Sequence, residues 1–192
     1  MVEFLINIDK KLFLFLNQYH SKFFDFVMWH ISGRIEWVPL YLLILYYLIR
    51  QYRVKSIYFI VTLVFLITIV DQLSVLLFKN TIQRLRPCHD PTIMHLVHIV
   101  NNHCGGMYGF ISNHAANSFA LATYSSFLFN KKIFKVLIFI WALIVSYSRI
   151  YLGVHFPGDI IGGAMFGIVM AYILWYFSDC INKRISVCNE TC

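Results

Sequence analysis

The chain has 192 residues, 59% of them hydrophobic and only 13% charged, with 18 Phe, 12 Tyr and a mean hydropathy of +0.68. Soluble domains carry about 25% charged and about 45–50% apolar residues, so there is too little polar surface here to cover a water-soluble core, and a bilayer is the fitting solvent. The net charge of +7 would suit a nucleic-acid binder if the chain were soluble. Here the basic residues fall in short clusters between apolar runs, where membrane topology and anionic headgroups account for them, and no nucleic-acid partner is expected.

Residues 2–20, VEFLINIDKKLFLFLNQYH, read poorly as a signal peptide, because Asp9, Lys10 and Lys11 break the apolar run and no small-residue cleavage site follows. Leu5, Ile8, Leu12 and Phe15 recur at helical spacing, which predicts an amphipathic interfacial helix within an N-terminal segment 1–33, the alternative being a first piece of the bundle. Apolar spans are predicted over about Trp37–Ile49, Ile57–Phe78, His114 to just before Asn130, Ile133–Tyr151 and Pro157–Phe177. The expected fold is an all-α polytopic membrane bundle of five or six spans in one domain, 1–192, with a polar loop at 79–113 and a tail at 179–192.

With five spans, Arg50, Arg53, Lys55, Lys131, Lys132, Lys135, Lys183 and Arg184 share one side, which the positive-inside rule makes cytoplasmic. Lys10, Lys11, Lys22 and Arg34 then lie outside. A sixth crossing built from residues 12–31 would return Lys10 and Lys11 to the inner side. Either count leaves the 79–113 and 149–159 loops together on the non-cytoplasmic face.

Three stretches put ionisable groups at span ends on that face: KNTIQRLRP (79–87), ISNHAANS (111–118) and SRIYLGVHFPGD (148–159). Lys79, Arg86 and Arg149 supply cations suited to phosphate oxygens. Ser112 and Asn113 precede His114 where a helix begins, so free N–H groups point into the same region. Headgroup snorkelling accounts well for Arg84 but poorly for the other three cations. His155 and Asp159 are four apart, with Pro157 as a first helical residue, so one turn brings carboxylate to imidazole and frees the other ring nitrogen to attack. His114 is then available as general acid.

The order K-x6-RP, S-x-H, SR-x5-H-x3-D, spread over about 80 residues, resembles the type 2 phosphatidic acid phosphatase superfamily. Ile111 and Asn113 depart from it, standing where the family usually has Pro and Gly. The resemblance implies a metal-independent phosphatase with no cofactor. Lys79, Arg86, Ser112, Asn113 and Arg149 would hold phosphate, His155 would be the nucleophile, Asp159 its partner and His114 the acid. The wider loop is similar to those of short bacterial members acting on envelope lipids, lipid A 4′-phosphatases foremost and undecaprenyl pyrophosphate phosphatases next. A phosphorylated lipid in a bacterial inner membrane, met from the periplasmic side, is therefore the expected substrate. Transfer of the phosphate to a second lipid is the enzymatic alternative, and an anion or lipid transporter the non-enzymatic one.

Cys88 and Cys104 share the 79–113 loop, and a disulfide between them would brace it if that face is oxidising. Cys180, Cys188 and Cys192 read as free thiols. His89, His95, His98 and His103 crowd the same loop, with His95 and His98 spaced to share a helix face, but the neighbouring cations speak against a metal and none is expected. Asp71, inside a span, is expected to pair with a neighbouring span.

Overall fold

The computed structural model describes the backbone of residues 2–190 and the side chains of residues 3–179. Cys180, Cys188, Cys192, Lys183 and Arg184 thus lie outside the described side chains. Among the described residues the chain is mostly helical and without strands, its one β-type contact being an isolated bridge between Leu85 and Tyr108. Helices α1 (Val2–Asn17) and α2 (Lys22–Ser32) lead into α3 (Val38–Tyr52), which carries Pro39 in its first turn, where a missing N–H costs nothing. A left-handed Arg53 turns the chain into α4 (Ser56–Ser74), which runs on through a π turn (Val75–Lys79) and a single turn α5 (Asn80–Ile82). After the 83–112 loop come α6 (Asn113–Leu128), α7 (Lys132–Tyr151) and α8 (Pro157–Glu190).

Among the described residues, three stretches are long and apolar enough to cross a bilayer: Ile35–Ile82, which contains both α3 and α4, Lys132–Tyr151 and Pro157–Asp179. Their outward faces expose Leu42, Leu43, Val61, Val64, Leu137, Ile140, Ile161 and Met165, side chains that suit lipid and would be an aggregation surface in water. Helix α6 is different. It carries Asn, His and Ser yet is almost wholly buried, because α4, α7 and α8 pack around it. A span enclosed by protein is released from the need to be apolar, and α6 uses that freedom to bring polar groups to the centre of the bundle.

The tightest packing is between α6 and α8. Gly163 and Gly167 sit one turn apart on α8 against Ser112, Ala116 and Ala120 of α6, so close that a Cβ on Gly167 would run into the Ala116 carbonyl. Small residues at this spacing let two membrane helices approach backbone to backbone. The approach fixes the height of the first turn of α8 against the first turn of α6.

The Leu5, Ile8, Leu12 and Phe15 stripe of α1 faces outward, and the inward face is Asp9, Phe13 and Asn17, one residue every four. Phe13 is fully buried edge-on against Phe156, with centroids 5.3 Å apart. Lys10 bonds Asp90 of the 83–112 loop at 2.7 Å, which puts Lys10 on the same face as that loop, whereas the six-span alternative needs it on the opposite side.

Gly167→Val forces α6 and α8 apart and is expected to cost about 1–3 kcal/mol of stability, read as a lowered thermal unfolding midpoint in detergent. Gly106→Ala, where a Cβ meets nothing within 4 Å, should leave the midpoint unchanged.

Candidate active site

The site forms where the starts of α6 and α8 and the ends of α4 and α7 meet under the 83–112 loop. Gly153 makes the turn from α7 into α8: its φ of +78° is one that L side chains rarely adopt, and its Cα hydrogens lie against the His98 backbone. The turn delivers His155, 2% exposed, beside Asp159, which is fully buried. His155 Nδ1 lies 3.4 Å from Asp159 Oδ2, and the same oxygen accepts the Phe156 N–H at 3.0 Å. The Asp159 carbonyl in turn accepts the N–H of Ser112, at the start of α6, at 3.0 Å, so one residue orients the imidazole and joins the two helix ends.

The structure brings Lys79, Arg86 and Arg149 to His155, and all three cations act on its ring. Arg86 is held by the carbonyls of Tyr108 and Cys104, each at 3.3 Å. It packs beneath Gly109, whose missing side chain leaves room for Arg86 and Asp159 together. Arg149 donates to Ser32 Oγ at the end of α2, and its Nε has no partner among the described residues. Ser112 Oγ is likewise buried and unpartnered. Unmatched buried donors of this kind beside gathered cations are what an anion would satisfy.

His114 stands in the first turn of α6, with His155 and Arg149 among the charges acting on it. It lines a cavity of about 600 Å³ bounded by α3, α4, α6 and α7, whose walls include Trp37, Tyr41, Leu63, Leu121 and Trp141. Asp71 sits at the polar end of this cavity and accepts from Asn113 Nδ2 at 2.8 Å and Asn117 Nδ2 at 3.2 Å. The carboxylate inside α4 is therefore paired to α6. This also places the Asn113 side chain, which bonds Asp71 and leaves only the residue's backbone to face an anion.

Cys88 and Cys104 are joined by a disulfide, with Cα atoms 6.1 Å apart. It closes the segment whose Cys104 carbonyl holds Arg86. His95 and His98 do not share a helix face, because a 3-10 turn ends at Leu96 and Val97 is extended. His98 instead bonds Asp25 of α2 at 2.9 Å and stacks on His20.

Sequence reasoning missed most of what steadies these groups. Arg84 is not headgroup decoration: it bonds Asp159 Oδ1 at 2.9 Å and Asp9 Oδ2 at 2.6 Å and lies 4.3 Å over the Phe156 ring. Asn17 of α1 donates to the carbonyls of His98, Ile150 and Tyr151 and accepts the His98 N–H. Asp9, Phe13 and Asn17 do carry a signal, the period of four along α1, but the stronger apolar stripe beside it hides it.

The sequence pattern of the PAP2 superfamily matches residues 57–182, a range that contains every cation and histidine just described around Asp159. The lipid A 4′-phosphatase of Bacteroides thetaiotaomicron is 39% identical over 187 residues, covering 96% of this chain and 83% of that protein. The lipid A 4′-phosphatase of Porphyromonas gingivalis is 36% identical over 175 residues, covering 91% and 74%. In fold, the chain is similar to the crystal structure of a transmembrane PAP2-type phosphatidylglycerolphosphate phosphatase from Bacillus subtilis, with a TM-score of 0.71, 22% identity and coverage of 92% and 87%.

Burial first, then the positive charges of Arg86, Arg149 and Lys79, holds the His155 imidazole well below its ordinary range. Each of these effects disfavours the protonated ring, so His155 should remain neutral at about pH 6, where a free histidine is already largely protonated. Histidine NMR in micelles, assigned with His155→Gln, reads this directly. An ordinary titration near 6.5 would mean the ring is solvated.

Proposed function

The chain belongs to the PAP2 superfamily and is a membrane lipid phosphatase, and from this premise we propose that it removes the 4′-phosphate of lipid A or of a lipid closely similar to it. The observation that carries the reaction is a buried His155–Asp159 pair ringed by Lys79, Arg86 and Arg149. Phosphate enters among the cations, whose charges neutralise its three equatorial oxygens as the transition state spreads charge over them. Asp159 keeps the proton on His155 Nδ1, and Nε2 attacks phosphorus. The bond to the leaving oxygen breaks, and that oxygen takes its proton from His114. Water, deprotonated by His114, then attacks the phosphohistidine and releases inorganic phosphate, restoring both rings. No step requires a metal.

The cavity beside His114 supports a bulky, chain-bearing alcohol as leaving group. Its walls suit hydrocarbon, while Asp71 with Gln72 at the polar end suits hydroxyl donors. A sugar bearing acyl chains offers both. We place the protein in the bacterial inner membrane with this face toward the periplasm, which the disulfide supports, since such bonds persist in oxidising compartments. In domain terms, residues 1–192 act as one unit, with 79–113 as the loop over the site.

Purified protein in detergent with excess EDTA should release phosphate from lipid A faster than from undecaprenyl pyrophosphate or phosphatidic acid. His155→Gln should lower the rate by about 10³-fold or more, and His114→Gln by about 10²–10⁴-fold. Loss of turnover in EDTA, or full activity in His155→Gln, would overturn the mechanism. Preference for undecaprenyl pyrophosphate would overturn the substrate, and transfer to another lipid without free phosphate would make the protein a phosphotransferase.

A further inference from the structure

The group that steadies Asp159 comes from the far end of the chain. Asp9 and Asp159 share one guanidinium, that of Arg84, with Asp9 Oδ2 at 2.6 Å and Asp159 Oδ1 at 2.9 Å. The other Asp9 oxygen accepts the Gly158 N–H at 2.8 Å, one of the unpaired donors at the start of α8. Arg84 is fixed from below by the Phe156 ring. The Asp9 and Arg84 side chains are largely shielded from solvent, 15% and 22% exposed.

We propose that Asp9 and Arg84 are positioning residues of the reaction: Arg84 sets the rotation of the Asp159 carboxylate, and Asp9 sets the charge it carries, making α1 part of the catalytic centre. With Oδ1 taken by Arg84, the carboxylate cannot rotate, and Oδ2 stays on the His155 side. The cluster holds two carboxylates and one guanidinium, so one net negative charge remains. The imidazole gains positive charge as its Nε2 bonds to phosphorus, and that remaining charge is what steadies it. Without Asp9, Arg84 would neutralise Asp159 alone and the imidazolium-like intermediate would have no counter-charge.

The inference rests on His155 being the nucleophile, and His155→Gln is therefore assayed alongside. The charges facing His155 are Lys79 from the α4 extension, Arg86 from the loop, Arg149 from α7, His114 from α6 and Asp159 from α8, and the variants alter none of them. Asp9→Asn, Arg84→Gln, Arg84→Lys and the Asp9→Asn/Arg84→Gln double variant are compared for phosphate release from lipid A across pH. The substrate's own ionisation is common to all, so differences between variants report the site.

Arg84→Gln should lower kcat by about 10²-fold with KM little changed, and Arg84→Lys should recover part of it. Removing the positive charge should move the acid limb of kcat/KM up by about one pH unit, and removing the Asp9 charge should move it down by a similar amount, with the double variant near the parent. A purely structural role would lower activity without displacing the limbs in opposite directions. Limbs that stay put or move together, with His155→Gln inactive, would overturn this inference alone. An active His155→Gln would overturn the phosphohistidine mechanism beneath it. Should Arg84→Gln fail to fold, the downward limb shift of Asp9→Asn from the parent, with the Arg84→Lys rate, carries the test, and a limb that stays put overturns it.

Discussion

Lys79, Arg86 and Arg149 converge on one buried imidazole, and their mutual repulsion is what the surrounding structure has to hold in check. Like charges in a medium less polar than water repel by several kcal/mol at contact distances, so each must be fixed by something outside the cluster. Arg86 hangs from two loop carbonyls, Arg149 from Ser32, and Lys79 from a π turn that continues α4. The disulfide and the Gly109 approach serve the same end from the loop side. The molecule is arranged around a site that is complete only when an anion joins it.

Helix α6 supplies the other half of the design. A membrane span enclosed on its flanks by other helices can carry His114, Asn113 and Asn117, and the close α6–α8 approach through Gly163 and Gly167 holds the first turns of the two helices against each other. Asp71 is admitted into α4 on the same terms, with two amides of α6 meeting its charge. Asn113, His114 and Asn117 also line the apolar cavity, so the polar centre and the cavity meet on one face of α6.

The ionisable groups at span ends stood out in the sequence because their type and order fit phosphate chemistry, and the fold gathers Lys79, Arg86, His114, Arg149, His155 and Asp159 in one region. Span positions were legible because lipid demands long apolar runs. What holds the groups in place was not. Arg84 looks identical in sequence to a headgroup-seeking arginine, and only the meeting of Asp9 with Asp159 across the fold distinguishes it. The side-chain partner of Asn113 was illegible for a similar reason, since it lies 42 positions away in α4. Single-residue chemistry is local, whereas second partners depend on tertiary neighbours that no spacing rule supplies.

Asn17 and Asp9 lie near the start of the chain, and the most distant of their partners are 134 and 149 residues further on. During synthesis Asp9 can meet Arg84, and Asn17 the His98 backbone, once the 83–112 loop is made, but the Ile150 and Tyr151 carbonyls and the Gly158 N–H arrive only with α7 and α8. A chain halted before α8 would hold the gathered cations and His155 but neither Asp159 nor the glycines of the α6–α8 contact. On the proposed mechanism, assembly and activation would then coincide.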